Sequence, residues 1–187
     1  MDMKEALWEY LRGQRATVVW KLDGVSEREL RMPMTASGTN LLGLVKHLAG
    51  LEIEYFGGCL GRTWPGAGLD WDAQAEPNGD MWATADESPA QILDFYRDAQ
   101  AWADAAIAEL PLDAPAQVPW WGLPEVTLQR LLVHMIAETA RHAGHLDILR
   151  ESLDGRRGLL PSVPNLPDVE EDYWRGHVER LRKIAEG

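Results

Sequence analysis

Residues 134–145 read H-M-I-A-E-T-A-R-H-A-G-H and hold three of the chain's five histidines beside one glutamate. His134, Glu138 and His142 are four apart, and His145 follows three later. Residues four apart on a helix are neighbours, with Cβ atoms about 5–6 Å from each other, so one divalent ion can bridge Glu138 and His142. A solvated, charged face would use the same spacing. Placement on the helix separates the two. At about 100° per residue, Leu128, Leu131, Leu132, Met135, Leu146, Leu149 and Leu153 form one apolar stripe. His142 falls inside the stripe, Glu138 at its edge, His145 slightly further out and His134 further still, while Arg130 and Arg141 face solvent. A wet face does not account for His142, which must be buried or nearly so.

A second stretch, N-L-L-G-L-V-K-H-L-A-G-L-E-I-E-Y at 40–55, has its stripe centred on Leu44, Leu51 and Tyr55, with His47 on the flank. Gly43 and Gly50 lie beside His47, and Glu54 lies one turn beyond the glycines. A glycine inside a helix costs about 1 kcal/mol relative to alanine, so something close is expected there, a neighbouring helix or a ligand. His47, Glu138 and His142 can thus converge inside a helical bundle. Two histidines and a glutamate with an open fourth position make a catalytic type of zinc site, not a closed structural one. The plainer alternatives are a hydrogen-bonded core histidine at 47 and a Glu138 that pairs with Arg141 or His142. His145 is a ligand, an outer-sphere group or a polar edge residue; His134 reads as a surface or edge residue, and His177 has no partner in view. The H-E-x-x-H, phosphate-loop, G-x-S-x-G and paired C-x-x-C patterns are absent. Cys59 reads as a small packed residue.

Four long helices must position these groups. The first runs from about Lys4 to Leu22, followed by a short turn from Ser26 through Leu30. The second begins near Ser37–Thr39 and weakens at Gly57-Gly58. The third starts at Ser88-Pro89 and stops at Pro111. The fourth spans about Val126 to Leu153, closed by Asp154-Gly155. Long connections cover 61–87 and the Pro/Trp-rich 111–125. Trp64, Trp71, Trp82, Trp120 and Trp121 sit in these connections, lining a pocket or covering loops. No segment shows strong β alternation. The fold class is all-α: a four-helix bundle over 1–155, and a tail at 156–187 that packs on the bundle and carries a last helix from about Tyr173 to Ala185.

The composition is that of a globular chain: 187 residues, 45% hydrophobic and 26% charged. A net charge of −12 argues against nucleic-acid binding and against docking on anionic membranes. One cysteine precludes an internal disulfide and suits a reducing, cytoplasmic setting. The start of the chain has no apolar signal core, and no segment is long and apolar enough to span a bilayer.

The segments 40–52 and 133–151 together resemble the DinB-like superfamily, closest to the actinobacterial branch near the mycothiol-dependent maleylpyruvate isomerases. The resemblance covers about residues 1–155 in order and helix layout. It implies a four-helix bundle with a metal site between the second and fourth helices, often in a homodimer. Most DinB-like proteins have three histidine ligands, the last two as H-x-x-x-H; here Glu138 takes the first place of that pair, as in the isomerase branch. His47 matches the first ligand, and His145 stands where many relatives have glutamine. The isomerases also carry a large C-terminal domain for which this tail is too short, so their reaction does not transfer whole. The implied metal is zinc first, with nickel, manganese or iron also compatible with the ligands. The implied activity is that of a metal-dependent S-transferase or isomerase acting on a small-molecule substrate with a low-molecular-weight thiol such as mycothiol or bacillithiol. His145 or Glu54 would orient groups or shuttle a proton. Metal-assisted hydrolysis, and a non-catalytic metal- or small-molecule-binding bundle, are the alternatives.

Overall fold

A computed structural model describes residues 1–66 and 76–187; Trp71 lies outside the described residues. Residues Met1–Arg157 and Gly158–Gly187 form two compact units. The first is the helical bundle expected from the stripes. Its long helices are α1 (Met3–Leu22), α3 (Leu41–Phe56), α4 (Pro89–Glu109) and α5 (Leu128–Asp154), with the short α2 (Glu27–Arg31) after α1. α3 packs against both α4 and α5, and α1 packs against α5. Among the described residues, no helix is long and apolar enough to cross a membrane.

Local chemistry sets the helix ends. The Asp2 carboxylate accepts from the Glu5 N–H at the start of α1, and Ser26 with Glu29 makes a capping box for α2. α3 starts at Leu41, later than the Ser37–Thr39 expected, because the Asn40 side chain accepts from the Gly43 N–H. Ser88 and Gln91 form a capping box for α4, with Pro89 in its first turn. α5 ends on Gly155 in the left-handed region, φ 79°.

The start of α5 departs from the expectation. Val126 and Thr127 belong to a two-stranded antiparallel ribbon, β1 (Pro115–Gln117) and β2 (Glu125–Thr127), with Pro115 opposite Thr127. Short strands of three residues leave no alternation to read. The segment leading into β1 does the capping that the Thr127 side chain does not. The Leu128 N–H donates to the Ala114 carbonyl at 3.0 Å and the Gln129 N–H to the Leu112 carbonyl at 2.9 Å, which satisfies donors every helix start leaves open.

The core is apolar but is crossed by paired charges. Arg15 of α1 grips both carboxylate oxygens of Glu52 on α3, at 2.7 and 2.6 Å, and reaches Asp104 of α4 at 2.6 Å. Arg150 of α5 donates to the carbonyls of Lys21 and Asp23, closing the end of α1, and pairs with Asp154. In the second unit, α6 (Glu171–Glu186) stacks Tyr173 on His177, whose Nδ1 accepts from Arg180 at 2.8 Å.

Removing one partner of a buried ion pair strands the other charge. Glu52→Ala is therefore expected to lower the unfolding free energy by about 3 kcal/mol, the low end of such losses because Asp104 still holds Arg15. Arg97→Ala, which breaks the exposed Arg97–Asp94 pair, is expected to cost less than about 1 kcal/mol. Urea titrations of the two variants check the contrast.

Candidate functional site

α3 and α5 meet in an antiparallel seam whose register is visible in two ring contacts. His47 meets His142, with ring centroids 4.8 Å apart. Tyr55, eight residues further along α3, meets His134, eight residues back along α5, at 4.7 Å. Leu51 and Glu138 occupy the level between, one turn or about 6 Å from each pair. The seam thus sets His47 against His142, with Glu138 one turn along α5 from His142.

His142 is 8% exposed. Its Nε2 lies 3.5 Å from Glu138 Oε2, and its Nδ1 lies 3.4 Å from His145 Nδ1. Burial, then the neighbouring His47, His145 and Arg141, pushes the His142 imidazole down to about 4, so the ring is neutral at physiological pH with a lone pair to offer. The Glu138 side chain is 31% exposed and pairs with His142, not with Arg141; among the described residues no lysine or arginine holds it. A carboxylate beside one of two contacting imidazoles, without a cation of its own among the described residues, offers the donor types of a His₂Glu metal set. These side chains are not gathered around one point, and among the described residues no group of three His, Cys, Asp or Glu is placed to hold an ion as it stands.

His47 brings a partner that its sequence neighbourhood does not announce. Its Nδ1 lies 2.7 Å from Asp80 Oδ2. Asp80 sits in a single 3₁₀ turn, Gly79–Met81, entered through Asn78 at φ 60°. That turn explains Gly43. A Cβ on Gly43 would lie 1.8 Å from the Met81 carbonyl oxygen, so the close neighbour anticipated at this glycine is loop backbone, neither a helix nor a ligand. The connection is pinned further along. Arg31 donates to the carbonyls of Ala83, Thr84 and Glu87. Glu87 Oε2 accepts from Lys46 Nζ at 2.8 Å and from the Thr84 N–H at 2.7 Å.

The remaining candidates fall on either side. His145 touches His142. Glu54 is exposed at the far end of α3, beside Gly58. Burial, then that carboxylate, pushes the Cys59 thiol up to about 11, which leaves it inert as a nucleophile. Trp120 donates to the Tyr55 hydroxyl at 3.4 Å and Trp121 packs on His134, so these two tryptophans wall the Tyr55–His134 end of the seam. Trp64 instead covers Phe95 and Trp102 on α4. Trp82 lines a recess with Ser37, Thr39 and Asn78.

Residues 6–155 match the family model described as mycothiol-S-transferase. No curated protein matches. Among solved structures, a conserved protein from Enterococcus faecalis aligns with a TM-score of 0.62 at 17% identity, over 83% of this chain and 99% of that one. At that identity the likeness is one of fold.

The connection that carries Asp80 has its own pH dependence. Burial pushes the Glu87 carboxyl up, but Lys46 and the Thr84 N–H outweigh it and hold it below its ordinary value. A folded-state value below the unfolded one gives stability that is complete above the ordinary carboxylate range and lost as pH falls through the folded value. Amide protection over residues 79–87 is expected to drop in acid before that of α3, and Lys46→Met is expected to show the same loosening at neutral pH. Hydrogen exchange followed by mass spectrometry reads both; equal protection in acid and at neutrality would contradict the assignment.

Proposed function

The chain belongs to the mycothiol-S-transferase family, a DinB-like family, and on that premise we propose that it transfers a low-molecular-weight thiol, mycothiol in the first instance, onto an electrophilic carbon of a small molecule. His47, Glu138 and His142 are the residues that would hold a divalent cation, zinc first. A thiol has a pKa of about 8.5, and contact with such a cation deprotonates it at neutral pH. The observation that carries the reading is the Glu138 carboxylate 3.5 Å from the His142 imidazole, which in turn meets the His47 ring, with no lysine or arginine paired to that carboxylate among the described residues.

The residues divide the work. Burial of His142 within the α5 stripe, where its ring meets His47 of α3, keeps it neutral. Glu138 would supply the one negative charge of the set, so a dication held there would keep net positive charge. In the transfer the S–H bond breaks and a C–S bond forms, and the leaving group departs with the electron pair of the bond it loses. His145, against His142, is the nearest further imidazole to receive the thiol proton. Trp120 and Trp121 cover the Tyr55–His134 end of the seam, two turns away.

Tag-free protein is expected to carry about one equivalent of metal, lost in His142→Ala, as a three-ligand site requires. With metal bound, conjugation of an alkylating test electrophile is expected to depend on added mycothiol. Mass spectrometry for metal and chromatography for conjugate check both. Failure to take up metal even with zinc added, or turnover that ignores thiol, would overturn the reading; the latter would point to hydrolysis.

A further inference from the structure

We propose that Asp80 is a positioning residue for the metal set: it fixes the tautomer of His47 and leaves Nε2 as the donor nitrogen. The inference rests on the proposed metal site and adds to it a residue from outside the two motif helices. An ionised carboxylate only accepts, so the proton in the 2.7 Å contact between His47 and Asp80 belongs to Nδ1. The lone pair is then on Nε2, across the ring. Metal-binding histidines commonly donate their other N–H to a carboxylate in this way, which orients the ring and raises its basicity.

The fold makes this contact at a cost. Gly43 lies one turn before His47 on α3, and any side chain there would collide with the Met81 carbonyl. Glycine at a helical position gives up about 1 kcal/mol relative to alanine, and what it admits is the turn that carries Asp80. Asp80 is not needed to hold the loop, because Arg31 and the Lys46–Glu87 pair already pin residues 83–87. Its carboxylate is aimed at one imidazole, not at the cations that anchor its own segment.

Two readouts test this. In metal-free wild-type protein, above the titration range of imidazole, 15N chemical shifts are expected to show His47 as the Nδ1–H tautomer, and Asp80→Ala is expected to move it toward the Nε2–H form. Zinc affinity, measured by competition with a chromogenic chelator, is expected to fall roughly 10- to 100-fold in Asp80→Asn, with helicity by circular dichroism unchanged. Gly43→Ala, which displaces the turn, is expected to lose affinity in the same direction. A wild-type His47 in the Nε2–H form would overturn the inference whatever the metal result. Equal zinc affinity in wild type and Asp80→Asn would overturn it while leaving the metal site standing. No zinc uptake by the wild type would instead remove the site on which it rests, with the tautomer still read separately.

Discussion

The seam between α3 and α5 constrains everything near it. The two helices meet in an antiparallel register that sets His47 against His142 and Tyr55 against His134. Burying a polar group is costly unless it is partnered. The seam meets that cost in three ways. His142 stays neutral, His47 is hydrogen-bonded to Asp80, and Glu138 sits at the edge, where solvent still reaches it. What remains is a carboxylate that no lysine or arginine among the described residues pairs with, and the proposed chemistry starts from it.

Periodicity exposed what lies on one helix and missed what arrives from another. His142 was legible because it interrupts a leucine stripe, and Glu138 because it stands one turn away on the same side. The helix ends followed from Ser88-Pro89 and Gly155, whose chemistry is local. Asp80 was not legible: it lies 33 residues from His47, in a connection with no repeating pattern, and its role depends on where a turn packs. Gly43 was the one trace of it, a helical glycine that needed a close neighbour. Arg150 was hidden for a related reason. It sits next to the stripe residue Leu149, and its burial depends on the end of α1, which its own helix does not encode. The ribbon before α5 was missed because three-residue strands give no alternation to count.

Much of the bundle's polar chemistry serves to hold segments in place: Arg15 with Glu52, Arg150 on the last carbonyls of α1, Arg31 and Lys46 on the connection. Each joins elements far apart in sequence and ends in a satisfied pair. Glu138 differs in that no lysine or arginine among the described residues pairs with it, and the family to which the chain belongs takes a thiol as substrate by its name. The proposed metal site would answer both with one requirement, a cation that balances the carboxylate and lowers the pKa of a thiol.

Cobalt(II) tests that requirement most directly, because a thiolate bound to it gives an intense near-ultraviolet charge-transfer band. Cobalt-loaded wild-type protein titrated with mycothiol should develop this band to saturation at one thiol per metal, and His142→Ala should not. Cobalt bound at the seam with no band at any thiol concentration would contradict the account, since the metal would then have no position open to a thiol.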